Sequence, residues 1–149
     1  MDVKLTINIW RRNINDERFL DTNIVIDLLD RREPFYVDAV KLFTLAYQKE
    51  ITLFVSPMTY ATASYLLRKH GKEGMRKLLG NFRQLSRITT ADESVVDAAL
   101  ASSFDDYEDA LQYYSALTEN VDVIVTRNKK DFLLSKIPVL LPGELLAQL

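Results

Sequence analysis

The segment Val121–Thr126 (VDVIVT) restricts the fold more than any other part of the chain. It is a nearly continuous run of β-branched and apolar residues, which is typical of a strand buried on both faces of a sheet. Four further short segments have strand-like composition, and helical apolar patterns separate them. Strands that alternate with helices form a parallel sheet with right-handed crossovers. The sequence therefore predicts an α/β fold.

The predicted elements follow one another without an internal repeat or a flexible linker. The strands are predicted at Arg18–Leu20, Ile51–Val55, Ser86–Thr89, Val121–Thr126 and Ile137–Leu141. The helices are predicted at Asn23–Leu29, Phe35–Gln48, Pro57–Lys69, Glu73–Leu85, Asp92–Ala101 and Asp106–Thr118, with a last one after Pro142. The residues before Phe19 do not fit this alternation. We therefore expect residues 1–18 to form an N-terminal extension of uncertain structure and residues 19–149 to form the domain.

Length and composition exclude several classes of protein. A chain of 149 residues fits one domain. The absence of cysteine excludes disulfides and thiolate metal sites, and the single histidine excludes a multi-histidine zinc site within one chain. No apolar run approaches the roughly 20 residues that span a bilayer, and the amino terminus lacks the apolar core of a signal peptide. We expect a cytoplasmic protein that does not contact membranes.

One aspartate, Asp21, stands where the first predicted strand ends and a helix begins. Open parallel sheets build their sites at the carboxyl ends of the strands, so this carboxylate is a candidate ligand. The alternative is that Asp21 only caps the helix that follows it. Asn23 is able to provide that cap instead, which would leave Asp21 free to bind a ligand.

A second group of acids lies on the helix predicted from Asp106. Asp106 and Asp109 are one turn apart, so their side chains share a face, although acids in a first turn also simply complement the helix dipole. Asp105 and Glu108 are spaced as a capping box, which would leave Asp106 and Asp109 to project together. Converging carboxylates repel one another unless a cation neutralises them, and Mg²⁺ prefers such oxygen ligands.

A third candidate region follows the strand Val121–Thr126. Asn128 stands two residues past this strand, and Asp131 follows three residues later. Both are expected to reach the same edge of the sheet as Asp21, although Asp131 is also interpretable as a cap or a surface acid beside Lys129 and Lys130. The residues expected to support the site with hydrogen bonds are Thr22, Asn23, Thr126 and Asn128.

Charge is strongly segregated along the chain despite a net charge of only −2. The segment from Arg68 to Arg87 has seven basic residues and one acid, whereas the segment from Asp92 to Asp122 has nine acids and no lysine or arginine. A basic flank beside an acidic pocket suits an anionic substrate. The alternative is that the basic segment is a helix face in contact with water.

Four segments, in this order and spacing, resemble the PIN domain family of metal-dependent ribonucleases, which includes the toxins of VapC-type toxin–antitoxin pairs. The segments are FLDTNIVIDLL (19–29), DDYEDALQYYSA (105–116), DVIVTRNKKDF (122–132) and LLPGELLAQL (140–149). The resemblance implies a three-layer α/β/α sandwich around a mainly parallel sheet. It also implies an endoribonuclease that hydrolyses RNA phosphodiester bonds with water activated by Mg²⁺ or Mn²⁺.

By position, the family's first acid falls on Asp21 and its helix acid on Asp109, with Asp106 as an added neighbour. Its last acidic position falls on Asn128, and Asp131 is the substitute. The resemblance thus predicts the metal ligands Asp21, Asp106 and Asp109, and the catalytic residues are these three together with Asp131. The cations beside the site are expected to hold flanking RNA phosphates. They are Arg127, Lys129 and Lys130.

Two departures from the family pattern affect the expected activity. The glutamate that the family carries after the second strand corresponds to Thr62, which is expected to support the site by a hydrogen bond but brings no charge. The last acid is replaced by Asn128. Both changes remove a negative charge, so metal affinity is expected to be lower. The alternative function is a PIN-like module that binds RNA or protein without catalysis. A phosphatase with an aspartyl nucleophile is a weaker alternative, because Asn23 stands where such enzymes carry a second aspartate.

The resemblance also implies partners. A toxin requires an antitoxin protein that covers its pocket, and the chain is expected to form a homodimer. The helices around Phe35–Tyr47 and Met58–Leu67 contain six aromatic residues that would line such a groove or dimer face. At least half of these aromatic residues are expected to belong to the core instead.

Overall fold

The structure, a computed structural model, describes residues 16–149. In this range five strands form one parallel sheet in the order β3-β2-β1-β4-β5. The strands are β1 (Glu17–Leu20), β2 (Thr52–Val55), β3 (Ser86–Ile88), β4 (Val123–Val125) and β5 (Val139–Leu140). The α-helices are α1 (Thr22–Leu29), α2 (Tyr36–Tyr47), α3 (Pro57–Leu66), α4 (Gly71–Arg83), α5 (Glu93–Ala101), α6 (Tyr107–Ala116) and α7 (Pro142–Ala147). Two short 3₁₀ helices lie at Arg68–His70 and Lys129–Phe132.

The three layers of the fold follow from the alternation of side chains along the strands. On one face of the sheet, Leu20 and Val125 belong to an apolar cluster that includes residues of α1, α2, α4 and α7. On the other face, Phe19 and Ile124 belong to a second cluster with Tyr113 of α6. Both faces are therefore covered by helices. The predicted three-layer α/β/α sandwich with a parallel sheet is confirmed.

The element boundaries differ from the prediction at several ends. Residues 1–15 of the predicted extension lie outside the described residues, and β1 begins at Glu17, one residue before the predicted start. The helix predicted to reach Lys69 ends at Leu66, and the 3₁₀ helix Arg68–His70 follows it. Gly71, at a φ of 77°, allows the chain to turn there, so that α4 starts two residues before the predicted Glu73.

The six aromatic residues of the predicted groove divide between core and surface. Phe43 is buried, and Tyr36 and Tyr60 are half-buried. The exposed members are Phe35, Tyr47 and Tyr65. Within residues 16–149, no helix combines the length and the apolar character that crossing a membrane requires.

Phe82 packs α4 against α2 and α3. Its side chain is 2% exposed, and its ring centre lies 5.4 Å from that of Phe43 and 5.7 Å from that of Tyr60. We predict that Phe82→Ala lowers the free energy of unfolding by about 3–5 kcal/mol, because it removes buried aromatic area and leaves a cavity. Urea denaturation measures this change. Leu100→Ala is the control, since Leu100 is 67% exposed and its loss should change stability by about 0.5 kcal/mol or less.

Candidate active site

Four neighbouring strands end on a buried polar residue at the carboxyl edge of the sheet. Asp21 follows β1, Ser56 follows β2, Thr89 follows β3 and Thr126 follows β4, and all four are buried. Because the strands are parallel, these residues lie along one edge. The edge is therefore polar although both faces of the sheet are apolar.

Asp21 is held by two hydrogen bonds at this edge. The backbone N–H of Thr22 donates to Oδ1 of Asp21 at 2.9 Å, and the hydroxyl of Thr126 donates to Oδ2 at 2.9 Å. The backbone N–H of Asn128 in turn donates to Oγ1 of Thr126 at 3.1 Å, which leaves the Thr126 hydroxyl proton for Asp21. Asp21 is thus the N-cap of α1. The prediction that Asn23 takes over this cap is wrong, and Asn23 is exposed.

The surroundings of Asp21 disfavour its charged form. Burial raises the pKa of Asp21 above its ordinary value, and the negative charge of Asp131 adds to the rise. The hydrogen bonds from Thr126 and from the Thr22 N–H, together with the nearby Gln112 amide, act in the opposite direction. No ion pair of the described residues includes Asp21. Residues 16–149 therefore supply hydrogen-bond dipoles to this carboxylate but no paired positive charge.

The start of α6 differs from the predicted arrangement. Asp106 is the N-cap, and its Oδ1 accepts a hydrogen bond from the backbone N–H of Asp109 at 3.1 Å. The predicted capping box of Asp105 and Glu108 is therefore wrong, and both of these side chains are exposed. An N-cap needs extended backbone, and Asp106 has it with φ −105° and ψ 125°. Asp106 therefore lies at the end of the helix and not within it, as Asp109 does, although both side chains line the same cleft.

Asp109 carries the most perturbed carboxyl of the site. Its pKa is raised to about 7, first because burial removes water and then because of the negative charges of Asp131, Asp106, Asp21 and Glu108. Asp109 is half-buried and has no ion pair among residues 16–149. Four neighbouring acids, and no cation paired with Asp109 among the described residues, make this the region where a positive ion would be most strongly stabilised.

A cleft of about 520 Å³ opens beside these acids. It is lined by Ser103, Phe104, Asp105, Asp106, Asp109, Lys130, Asp131, Leu133 and Leu134. Three of the predicted site acids, Asp106, Asp109 and Asp131, thus line one cleft. Asp21 interacts electrostatically with two of them, Asp109 and Asp131. Lys130 is the one cation in this lining of the described residues.

The carboxylate oxygens of the site are ligands that suit Mg²⁺ or Mn²⁺, but the side chains are not arranged around one ion as predicted. Within residues 16–149, no three acidic, histidine or cysteine side chains are placed to bind one ion together. The predicted gathering of Asp21, Asp106 and Asp109 around a common ion is therefore not found, since Asp106 is turned towards the helix end. Mg²⁺ is commonly held by one or two carboxylates with waters and phosphate oxygens as the other ligands. Two of the three carboxylates of Asp21, Asp109 and Asp131 would meet that requirement.

A buried polar network behind Asp21 was not predicted from the sequence. Nε2 of Gln112 donates to Oγ1 of Thr22 at 2.8 Å, and the hydroxyls of Thr22 and Thr59 are 2.8 Å apart. The hydroxyl of Ser56 donates to Oε1 of Gln112. Two signals for this network exist in the sequence: Ser56 follows β2 as Asp21 follows β1, and Gln112 is one turn after Asp109.

The two neutral replacements occupy different surroundings. Thr62 lies half-buried on α3 and takes no part in the hydrogen bonds around Asp21. Asn128 is half-buried and precedes the 3₁₀ helix that carries Asp131, whose N–H donates to the carbonyl of Asn128 at 3.1 Å. Asn128 thus fixes the loop through its backbone.

The three cations predicted to contact RNA phosphates do not lie together beside the acidic cleft. Arg127 points away from the cleft: its Nη2 donates to Oδ1 of Asp27 at 3.2 Å, and its Nε lies 2.7 Å from Oδ2. The guanidinium also lies 3.9 Å from the ring centre of Phe35. Lys129 pairs with Glu144 at 2.7 Å. Of the three cations, Lys130 is the one that lines the acidic cleft.

The sequence of the chain matches the family model described as PIN domain over residues 18–130. The chain belongs to the PIN domain family. The predicted resemblance is confirmed, and the match includes Asp21, Asp106, Asp109 and Asn128, whereas Asp131 lies one residue beyond it.

Known proteins that resemble this PIN domain include a ribonuclease and toxin–antitoxin complexes. Ribonuclease VapC1 of Aquifex aeolicus (strain VF5) is 26% identical over 137 residues, which are 88% of this chain and 94% of that protein. A toxin–antitoxin complex from Klebsiella pneumoniae has a TM-score of 0.63 at 21% identity, covering 84% of this chain and 97% of that chain. The structure of VapBC2 from Rickettsia felis, bound to a DNA fragment from its promoter, has a TM-score of 0.60 at 21% identity. The match covers 83% of this chain and 97% of that chain. The structural similarities show a shared fold.

The Arg127–Asp27 pair generates a prediction about stability in this PIN domain. Asp27 is 1% exposed, so Arg127→Met leaves a buried carboxylate without its counter-charge and should lower the free energy of unfolding by about 3 kcal/mol. Asp27→Asn combined with Arg127→Met should recover part of this loss. Chemical denaturation of the three proteins measures both effects. An Arg127→Met protein of unchanged stability that binds RNA poorly would instead support the original assignment of Arg127 as a phosphate contact.

Asp109 should make the metal-free PIN domain less stable as the pH rises. Because its folded-state pKa is raised from 3.8 to about 7, the folded protein binds this proton more tightly than the unfolded chain. The stabilisation is complete below about pH 4 and is lost as the pH rises through about 7. Asp109→Asn should therefore melt higher than the wild type at pH 8 in the presence of a chelator, and the difference should shrink at pH 5. The exposed Asp97→Asn is the control, and equal behaviour of both variants would contradict the assignment.

Proposed function

We propose that this PIN domain is a metal-dependent endoribonuclease that hydrolyses RNA phosphodiester bonds. The observation that carries the proposal is the set of carboxylates of Asp21, Asp109 and Asp131, which repel one another beside an open cleft without an ion pair among residues 16–149. Membership of the PIN domain family and the similarity to Ribonuclease VapC1 support this activity. The cytoplasm is the proposed location.

Asp21 and Asp109 are the proposed metal ligands, and Asp131 is the third carboxylate beside them. Mg²⁺ or Mn²⁺, when bound, lowers the pKa of a coordinated water and stabilises negative charge on phosphate oxygens. Such an ion would also offset the repulsion from neighbouring acids, which adds to the effect of burial in raising the pKa of Asp109 to about 7. One or two ions are compatible with three carboxylates, and Asp106 is available to orient water where α6 begins.

The other residues of the cleft have separate proposed roles. Thr126 and the Thr22 N–H keep the Asp21 carboxylate in one orientation at 2.9 Å each. Lys130 attracts an RNA phosphate into a cleft that is otherwise acidic, which offsets part of the repulsion between RNA and protein. Lys129 can serve a flanking phosphate only when it leaves Glu144.

A second candidate function is supported by Thr62. The family's glutamate position holds a neutral, half-buried side chain, and within residues 16–149 no three-donor metal cage is formed. A PIN domain with weak metal affinity would bind RNA or a protein partner without cleaving it. Metal affinity and cleavage, measured separately, distinguish the two functions.

The proposed partners are an antitoxin protein and a second copy of the chain. The similarity to toxin–antitoxin complexes supports the first. A second cavity of about 420 Å³, lined by Phe35, Ala39, Arg127, Leu141 and neighbouring residues, offers apolar surface for an antitoxin segment. The exposed Tyr47 and Tyr65 provide apolar surface that is available to a homodimer.

The proposal is tested by incubating the full chain with RNA and Mn²⁺, with and without a chelator. We expect cleavage that the chelator abolishes and that Asp21→Asn lowers by at least about 100-fold, because losing even a supporting partner of a metal ligand costs about 10–100-fold. Asp97→Asn, which changes an exposed acid on α5, should cleave as the wild type does. Cleavage that survives both the chelator and Asp21→Asn would overturn the proposal. RNA binding without cleavage in the wild type, together with feeble Mn²⁺ affinity in calorimetry, would favour the second function.

A further inference from the structure

Gln112 occupies a central place behind the candidate site. Its side chain lies on α6, one turn after Asp109, and is 4% exposed. Both ends of its amide are used. Nε2 lies 2.8 Å from Oγ1 of Thr22 and 3.5 Å from Oγ1 of Thr59, and Oε1 accepts the hydroxyl proton of Ser56.

These contacts join four separate parts of the chain. Thr22 is the first residue of α1, and Ser56 directly follows β2. Thr59 lies in the first turn of α3, and Gln112 belongs to α6. The four side chains satisfy one another without a charged group, and hydrogen bonds of this kind strengthen one another in a buried setting. A fully satisfied buried network of this type specifies one relative position of the elements that it joins.

The network leads directly to the carboxylate of Asp21. The Thr22 hydroxyl oxygen accepts a hydrogen bond from Nε2 of Gln112. The backbone N–H of the same Thr22 donates to Oδ1 of Asp21 at 2.9 Å. Gln112 and Asp109 are on the same helix. The amide therefore connects the element that carries Asp109 to the element that carries Asp21.

This connection opposes a force that the site itself creates. Asp21 and Asp109 repel each other when both are ionised, and this repulsion acts between the start of α1 and α6. A neutral amide that bonds to Thr22, Thr59 and Ser56 holds the two elements together without neutralising either carboxylate. An apolar side chain of the same size would fill the space but would provide no such directed bonds.

We infer that Gln112 is a positioning residue of the candidate metal site, which acts through Thr22 to hold Asp21 at a fixed distance from Asp109. The inference rests on the proposed function of this site. Gln112 does not reach the ion or the substrate in this role. Its contribution lies in keeping the two proposed ligands arranged for a cation before the cation binds.

The test is the affinity of the purified full chain for Mn²⁺, measured by electron paramagnetic resonance, with urea denaturation of the same samples. Gln112→Met keeps the length of the side chain and removes its hydrogen bonds. We expect its Mn²⁺ dissociation constant to rise by about 10–100-fold, as for other residues that orient metal ligands. Ser56→Ala frees Oε1 of Gln112 without touching Thr22 or Asp21, and it should weaken Mn²⁺ binding by less. The double variant should bind no more weakly than Gln112→Met alone, because both changes disturb one network.

Ser115→Ala is the matched control. Ser115 is buried on the same helix, three residues after Gln112, and its hydroxyl lies 2.6 Å from the Thr89 hydroxyl and 2.6 Å from the carbonyl of Thr90. Its loss should lower stability in urea but leave Mn²⁺ affinity within about twofold of the wild type. A stability change that is not accompanied by a change in affinity is the behaviour of a purely structural residue.

The outcomes separate this inference from the proposed function. If the wild type binds Mn²⁺ and folded Gln112→Met binds it equally well, the inference is overturned and the proposed metal site stands. If Gln112→Met does not fold, Ser56→Ala decides, and an affinity equal to that of the wild type overturns the inference. If the wild type itself fails to bind Mn²⁺ at millimolar concentration, the proposed function fails and the positioning role fails with it.

Discussion

Electrostatic repulsion between carboxylates at the carboxyl edge of the sheet is the constraint on which the site depends. A parallel sheet brings the ends of its strands to one edge, so Asp21 comes close to acids delivered by α6 and by the 3₁₀ helix after β4. Burial removes the water that would screen these charges, and the pKa of Asp109 rises to about 7 as a result. The fold alone therefore produces a region of unbalanced negative charge that a divalent cation would stabilise.

Elsewhere among residues 16–149, the buried charged side chains form ion pairs with side chains of opposite charge. Asp27 is buried and is paired with Arg127, which also lies over the ring of Phe35. The half-buried Asp30 and the exposed Glu144 pair with lysines. Of the two buried aspartates among residues 16–149, Asp27 thus has a counter-charge, whereas Asp21 has none. It is the kind of exception that functional sites produce.

Neutral hydrogen bonds replace counter-ions at this edge. Thr126 and the Thr22 N–H hold the Asp21 carboxylate, and the Gln112 amide ties Thr22 to Ser56 and Thr59. Such dipoles favour an ionised carboxylate without occupying it as a cation would, so the oxygens remain available to a ligand. Thr62 replaces the glutamate of the family, so one negative charge is absent from this region. The hydrogen-bond network of Gln112, which is uncharged, lies close to the remaining acids.

The sequence by itself determined the fold class, the family and the region of the site. These follow from local patterns: β-branched runs such as Val121–Thr126, helical apolar spacing, and an aspartate directly after a strand. It did not determine which acid caps which helix, because Asp105 and Asp106 are both competent caps and the choice depends on the backbone angles at Asp106. It also did not reveal that Arg127 pairs with Asp27 or that Gln112 reaches Thr22, which lie 100 and 90 residues apart in the chain. Only the packing of α1 and α6 on opposite sides of the sheet edge decides such contacts, since distance in space is not encoded in any local pattern.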